Sequence, residues 1–308
     1  LVLDRFILGT PKRISREAPV VILRHESQRD IPGGGANALA NLAALGLQVA
    51  VVGAVGDDEP GRALTSALAE RGVDIRRIIT VPDYATPTKV RILGGGSTSL
   101  KHQVARYDIE DVLPIDGNWK GALLEHLREL GAGCDAVAIS DYGYGCVQPE
   151  AVQHLGGKGK PWLCLDSRYR ISTFVGVDGA TPNLEELEAH CGRRLRFDAA
   201  VATAADELRA ELGARFVLAT RGNQGMTLVE DDNEPHHIPV FGSDQVADVT
   251  GAGDTVLAVL TAALASGAEP LDAARLANIA AGLAVMKLGT ATISAAELRA
   301  ALSPAEKT

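Results

Sequence analysis

The chain has 308 residues, a formal net charge of −9, 46% apolar and 22% charged residues. That is the balance of a folded globular protein, and without an extended basic block a nucleic-acid backbone is not an expected partner. No apolar run in the sequence is long enough to span a bilayer and no cleavable signal pattern opens it, so the expectation is a cytoplasmic protein with no membrane contact. Cys134, Cys146, Cys164 and Cys191 show neither C-x-x-C nor zinc-ligand spacing, and buried free thiols are expected.

The opening "LVLDRF" reads as the last residues of a strand. Residues 5–32 follow as strand-like pieces broken by turn residues, and "PGGGANALANLAALG" (32–46) leads from glycines into a helix. "VAVVGAVG" (49–56) is a strand and "PGRALTSALAERG" a helix. Residues 76–107 then return to strand-like pieces. Beyond them, "WKGALLEHLREL", "DAVAISDY" (135–142), "PWLCLDS" (161–167), "DAAVATAADELRAELG", "RFVLATRG" (215–222), "GMTLVE" (225–230) and the helical stretches 252–267 and 270–288 alternate as helix and strand. This order predicts one α/β domain over 1–308, with a mostly parallel sheet and helices on both faces. The segments 5–32 and 76–107 are expected to pair into a small antiparallel β-sheet, a lid over the carboxyl ends of the main strands. His236 and His237 are adjacent, so on a strand they would face opposite ways, and a surface loop is expected there instead of a metal site.

Three stretches carry candidate chemistry. In "DVTGAGDT" (248–255), Gly251 and Gly253 precede a run of helix formers, which exposes backbone N–H groups at a helix N-terminus and favours an anion there. Asp254 beside it could take a proton from an attacking hydroxyl while the amides stabilise developing charge; a helix-capping turn is the plainer reading. The stretch is neither a Walker A loop nor a dinucleotide fingerprint. In "PGGGAN", Gly33 to Gly35 and Asn37 suit either a tight turn or contact with a polyhydroxylated ligand. In "TPNLEELE", Asn183 and Glu186 lie three apart, which serves a helix cap or, as an oxygen pair, Mg²⁺ through water.

Taken together, "GGGAN", "NLEE", "TRG" (220–222) and "DVTGAGDT" resemble the ribokinase-like (PfkB) carbohydrate kinases in order and spacing across essentially the whole chain. The resemblance implies a central mostly parallel sheet flanked by helices, a β-lid, and ATP-dependent phosphorylation of a sugar hydroxyl. "LDRF", "RISREAPV", "QVARYDIED", "SDYGYG" and "ANIAAGLAVMKLGTATIS" are similar to the branch that phosphorylates D-glycero-D-manno-heptose 7-phosphate at O1 for lipopolysaccharide and surface-heptose biosynthesis. That branch occurs alone or fused to an adenylyltransferase, and a stand-alone kinase is expected here.

Carried over residue by residue, the resemblance implies Asp254 as general base, with Gly251, Ala252 and Gly253 as anion hole. Asn183 and Glu186 would organise Mg²⁺ and its waters, Thr220, Gly222 and Gly225 would lie by the nucleotide, and Asn278 would face the adenine. Asp4, Gly34, Gly35 and Asn37 match sugar-binding positions, and Arg13, Lys89 and Arg106 are basic lid candidates for a substrate phosphate. Asp248 and Thr250, with Gly289, match a monovalent-cation site, for K⁺, found in some relatives. Lid-mediated pairing in relatives makes a homodimer the expectation. The chain departs from the heptose branch at "LDSRYR" (165–170), where a lysine is missing and Arg168 stands as its replacement on phosphate, and at Tyr144, where lysine is common. Rival readings are a fructokinase, ribokinase or nucleoside kinase of the same fold, a catalytically silent sugar-binding relative, and a dinucleotide-dependent oxidoreductase, which the missing fingerprint disfavours.

Overall fold

A long antiparallel hairpin, β1 (Val2–Ile14) and β2 (Val21–Gly33), opens the fold. It is seen in a computed structural model that describes residues 1–96, 101–114, 117–131, 133–155, 161–231, 233–242, 247–287 and 289–303. Helix α1 (Gly35–Ala44) leads to β3 (Ala50–Gly56), then α2 (Glu59–Ala69), capped by Asp58 accepting from the Gly61 amide, and β4 (Asp74–Val81). β5 (Thr88–Gly94) and β6 (His102–Ile109) form a second antiparallel pair. After it come α3 (Trp119–Gly131), β7 (Ala136–Asp141), α4 (Glu150–Leu155), β8 (Trp162–Ser167), β9 (Gly179–Ala180), α5 (Leu184–Cys191) and α6 (Asp198–Leu212). The fold ends with β10 (Phe216–Thr220), β11 (Met226–Glu230), β12 (His236–Ile238), α7 (Ala252–Ala265), α8 (Pro270–Val285) and α9 (Ala295–Leu302).

The largest sheet has the order β12-β11-β10-β9-β8-β7, parallel from β7 to β10 and antiparallel at its β11 and β12 edge. Its strands are apolar on both faces, as a doubly covered sheet requires. In β10, Val217 and Ala219 pack into one cluster with Ala205 and Leu208 of α6. Phe216 and Leu218, one residue out of phase, pack with Leu257 and Leu260 of α7 and Ala277 of α8. Each such leucine withdrawn from water contributes about 1.5–3 kcal/mol. The alanines of α7 and α8 let the two helices lie close together on that face.

Two expectations about the strands are corrected. Within 76–107, β4 pairs in parallel with β3 as a separate two-stranded sheet, because its apolar Ile78 packs against the α1 and α2 side of the molecule. The four-stranded sheet β2-β1-β5-β6 is therefore built from β1, β2, β5 and β6, and its central pair β1 and β5 runs parallel. His236 and His237 lie in the edge strand β12, not a loop, and His237 Nδ1 sits 3.1 Å from Thr227 Oγ1. A cavity of about 550 Å³ lies between residues 49–52 and 136–140. All four cysteines are free, Cys164 buried and the other three half-buried. Among the described residues no helix is long and apolar enough to cross a membrane.

Candidate active site

Gly251 caps α7 with φ +79°, a left-handed backbone that glycine adopts without strain. A Cβ there would lie 2.5 Å from Asn37 Nδ2, so the residue also makes room for the side chain beside it. Ala252 donates its amide to the Val249 carbonyl at 3.3 Å, whereas the amides of Gly251, Gly253 and Asp254 have no acceptor among the described residues. Of the expected 251–253 amides, Gly251 and Gly253 are without a protein acceptor among the described residues, and the adjacent Asp254 amide is in the same position. Three unpaired donors at the positive end of a 14-residue helix make a place for an anion.

Asp254 sits in the first turn of α7, buried, with both carboxylate oxygens held. Tyr142 Oη donates to Oδ1 at 2.9 Å and Asn37 Nδ2 donates to Oδ2 at 3.2 Å. Burial raises the carboxyl to about 7, against the pull of the Tyr142 and Asn37 hydrogen bonds and of Lys89, with Asp4 adding to the rise. A carboxylate poised near neutrality suits proton transfer.

Asn37 is itself braced: its amide also meets the Gly251 carbonyl at 3.3 Å, and Asn41 Nδ2 donates to its Oδ1 at 3.2 Å. Its amide thus joins the Asp254 carboxylate to the residue that caps α7. Gly34, at φ +51°, presents its backbone to the Tyr142 ring, and a Cβ on Gly35 would lie 3.2 Å from Ser140 Oγ. Asp4 is buried and ion-paired, its Oδ1 accepting from Arg91 Nη1 at 2.6 Å.

Beside Tyr142 opens a cavity of about 510 Å³ bordered by Lys89, Arg106, Arg168, Asp108 and Tyr144. Cross-strand pairing sets its charges out in rows: Asp4, Lys89 and Asp108 are partners across β1, β5 and β6, and Phe6, Arg91 and Arg106 form the next row on that face. Arg106 is bound to Asp108 at 2.5 and 2.8 Å, and Tyr144 donates to Glu110 at 2.8 Å. Lys89 and Arg168 have no carboxylate ion pair among the described residues. Burial lowers the Lys89 ammonium below its ordinary value, Arg106 and Arg168 add to this, and Asp4 and Asp254 oppose it. Arg13 is not brought here; it lies exposed near the far end of β1 and does not border the cavity.

Asn183 and Glu186 form a reciprocal cap on α5, each side chain accepting from the other's backbone amide at 2.9 Å. Oε2 is the accepting oxygen of Glu186, and Oε1 has no hydrogen-bond partner among the described residues. Sequence reasoning missed Asp166, a half-buried carboxylate at the end of β8 that accepts no hydrogen bond among the described residues. Burial pushes it well above its ordinary value, and Glu186, Asp254 and Asp141 push the same way. Among the described residues no three His, Cys, Asp or Glu side chains are grouped to hold a metal ion directly. A cation here would be held by Asp166 and Glu186 largely through water, which the oxygen-only donor set fits.

Thr220 ends β10 and bridges to Asn183. Gly222 and Gly225 turn the chain with φ +57° and +78°. A Cβ on Gly225 would meet the Ile238 carbonyl at 2.1 Å, so Gly225→Ala is expected to destabilise the fold by about 2 kcal/mol or more, read from the midpoint of urea unfolding. Asn278 Nδ2 donates to the Pro239 carbonyl at 2.8 Å and ties α8 to that segment. The Asp248 carboxylate accepts from the amides of Thr250 at 2.9 Å and Gly289 at 3.1 Å, so it braces the turn before α7.

A sheet covered on both sides with a smaller β-sheet beside it is the architecture of the ribokinase-like fold, whose solved members superimpose on it. Ribokinase of Arabidopsis thaliana complexed with ribose and ATP superimposes with a TM-score of 0.72 at 19% identity, over 97% of this chain and 95% of that one. Phosphofructokinase-2 from Escherichia coli in complex with substrates and products does so at 0.76 and 23%, over 97% and 94%. Residues 5–105 and 161–297 match the model of the pfkB family carbohydrate kinases, and the chain belongs to that family. Bifunctional protein HldE of Nitrosococcus oceani is 41% identical over 307 residues, 99% of this chain and 63% of that protein, so the chain spans less than two thirds of that relative's length.

Proposed function

We propose that the chain transfers the γ-phosphoryl group of ATP to O1 of D-glycero-D-manno-heptose 7-phosphate. The observation that carries the transfer is Asp254, a buried carboxylate raised to about 7 beside three amides that have no acceptor among the described residues, at the N-terminus of α7. Asp254 accepts the proton of the attacking hydroxyl, and the amides of Gly251, Gly253 and Asp254 receive the negative charge that develops on the moving phosphoryl group. Thr220, which bridges to Asn183 at the start of α5, with Gly222 and Gly225 after it, borders the nucleotide. Mg²⁺, when bound, neutralises phosphate oxygens; Asp166 and Glu186 are the residues that would hold it.

A phosphorylated sugar is favoured by the crowding of Lys89, Arg106 and Arg168 around one cavity. A phosphate there relieves the repulsion that, with burial, lowers the Lys89 ammonium. The relative named HldE supports the heptose reading. Closure of the four-stranded sheet as a lid would exclude water from the transferring group. The exposed Ile14, Val20, Val104 and Tyr107 on its strands and turn give that sheet apolar surface for a homodimer.

The test is ADP release from ATP and Mg²⁺ with the heptose phosphate, fructose, ribose and adenosine side by side. Selectivity for the heptose phosphate supports the reading; preference for a neutral sugar keeps the transfer and discards the substrate. The pH profile gives a second check. Protonated Asp254 cannot accept a proton, so kcat/KM is expected to rise with pH through a midpoint near 7. Activity undiminished well below that midpoint would remove Asp254 as the base.

A further inference from the structure

Asp254 does not border the cationic cavity, but Tyr142 touches both. The Tyr142 phenol donates to Asp254 Oδ1 at 2.9 Å, Lys89 Nζ lies 4.6 Å from its ring centre, and the ring packs where a Cβ on Gly34 would come within 3.0 Å. Its backbone is anchored from the preceding residue. Asp141 accepts from the Gly143 amide at 3.1 Å, Ser167 Oγ at 2.9 Å and Arg170 Nη2 at 3.0 Å.

We propose that Tyr142 is a positioning residue for Asp254, fixing the carboxylate through its phenol while its ring couples the base to Lys89 and to the glycine turn at Gly34. This rests on Asp254 being the base. A carboxylate held at one oxygen by Tyr142 and at the other by Asn37 keeps one orientation, and its remaining lone pairs are left for the incoming hydroxyl. Burial and the nearby carboxylates of Asp254, Asp166 and Asp4 raise the phenol well above its ordinary value, so it stays a donor throughout the working range. The groups facing Asp254 are Tyr142 after β7, Asn37 on α1, Lys89 on β5, Asp4 on β1 and Asp166 on β8.

The experiment compares wild type, Tyr142→Phe, and the protein with 3,5-difluorotyrosine at position 142, using the sugar that releases ADP fastest. Loss of the phenol removes a hydrogen bond to the charged form of the base. Tyr142→Phe is therefore expected to lower kcat about tenfold, leave KM for ATP unchanged and move the acid limb of kcat/KM upward by about one pH unit. Difluorotyrosine keeps the shape, donates more strongly and is expected to move the limb downward, and it carries the test if the phenylalanine variant does not fold. An acid limb unmoved by either substitution overturns the proposal even if kcat falls, because a merely structural role would not set the titration of the base. Asp254→Asn runs in parallel: if it turns over normally, the base assignment itself fails, whereas an inactive Asp254→Asn with an unmoved limb sinks only the role of Tyr142.

Discussion

Asp254→Asn is expected to lower turnover by about a hundredfold or more, with ATP affinity largely kept. The amide has nearly the shape of the carboxylate and can still accept from one of its two donors, Tyr142 or Asn37, but it cannot take up a proton. Oδ1 and Oδ2 now accept one hydrogen bond each. In the variant one donor faces an N–H group instead, a loss of about 1–3 kcal/mol in stability that does not threaten the fold. Turnover of ATP with saturating sugar and direct titration of nucleotide binding separate the two effects. Near-normal turnover would refute the assignment.

Arg91→Met is expected to destabilise the folded chain by about 3–5 kcal/mol, the larger of the stability effects considered. Arg91 and Asp4 have side chains only 9% and 3% exposed, and their 2.6 Å contact joins β1 to β5. Methionine fills much of the space under Phe6, whose ring lies 5.4 Å from the guanidinium, yet it leaves the buried Asp4 carboxylate without its direct ion-pair partner, with only the cross-strand Lys89 nearby. The double variant Asp4→Asn, Arg91→Met removes both charges and is expected to recover most of the loss. Urea unfolding of the three proteins decides it; equal midpoints for the single and double variants would show that the charge itself is not what matters.

The helix terminus at Asp254 was legible in the sequence because its signal is local: two glycines, an aspartate and a run of helix formers determine it within eight residues. The strands 162–167, 216–220 and 226–230 were legible for the same reason, as short apolar runs between turn residues. What the spacing could not reveal was how polar groups spend their hydrogen bonds. Asp4 is taken by Arg91, 87 residues away, and Asn278 by the Pro239 carbonyl, 39 residues away. Tyr142 meets Asp254 across 112 residues. Such pairings follow from tertiary packing and leave no periodic mark. Asp166 did have a signal, an acid at the carboxyl end of a parallel strand, where ligands of open α/β sheets bind. Arg13 carried the right charge, but β1 runs on past the cavity and delivers it to solvent.

The rows of partners across β1, β5 and β6 depend on register. Side chains on a sheet alternate between faces, so a slip of one residue between β5 and β6 would turn Arg106 and Asp108 away together and leave Lys89 facing a neutral strand. The charge around the cavity beside Tyr142 is thus a matter of phase between neighbouring strands. An insertion or deletion in the hairpin would change the charge of that cavity without changing any residue of α7.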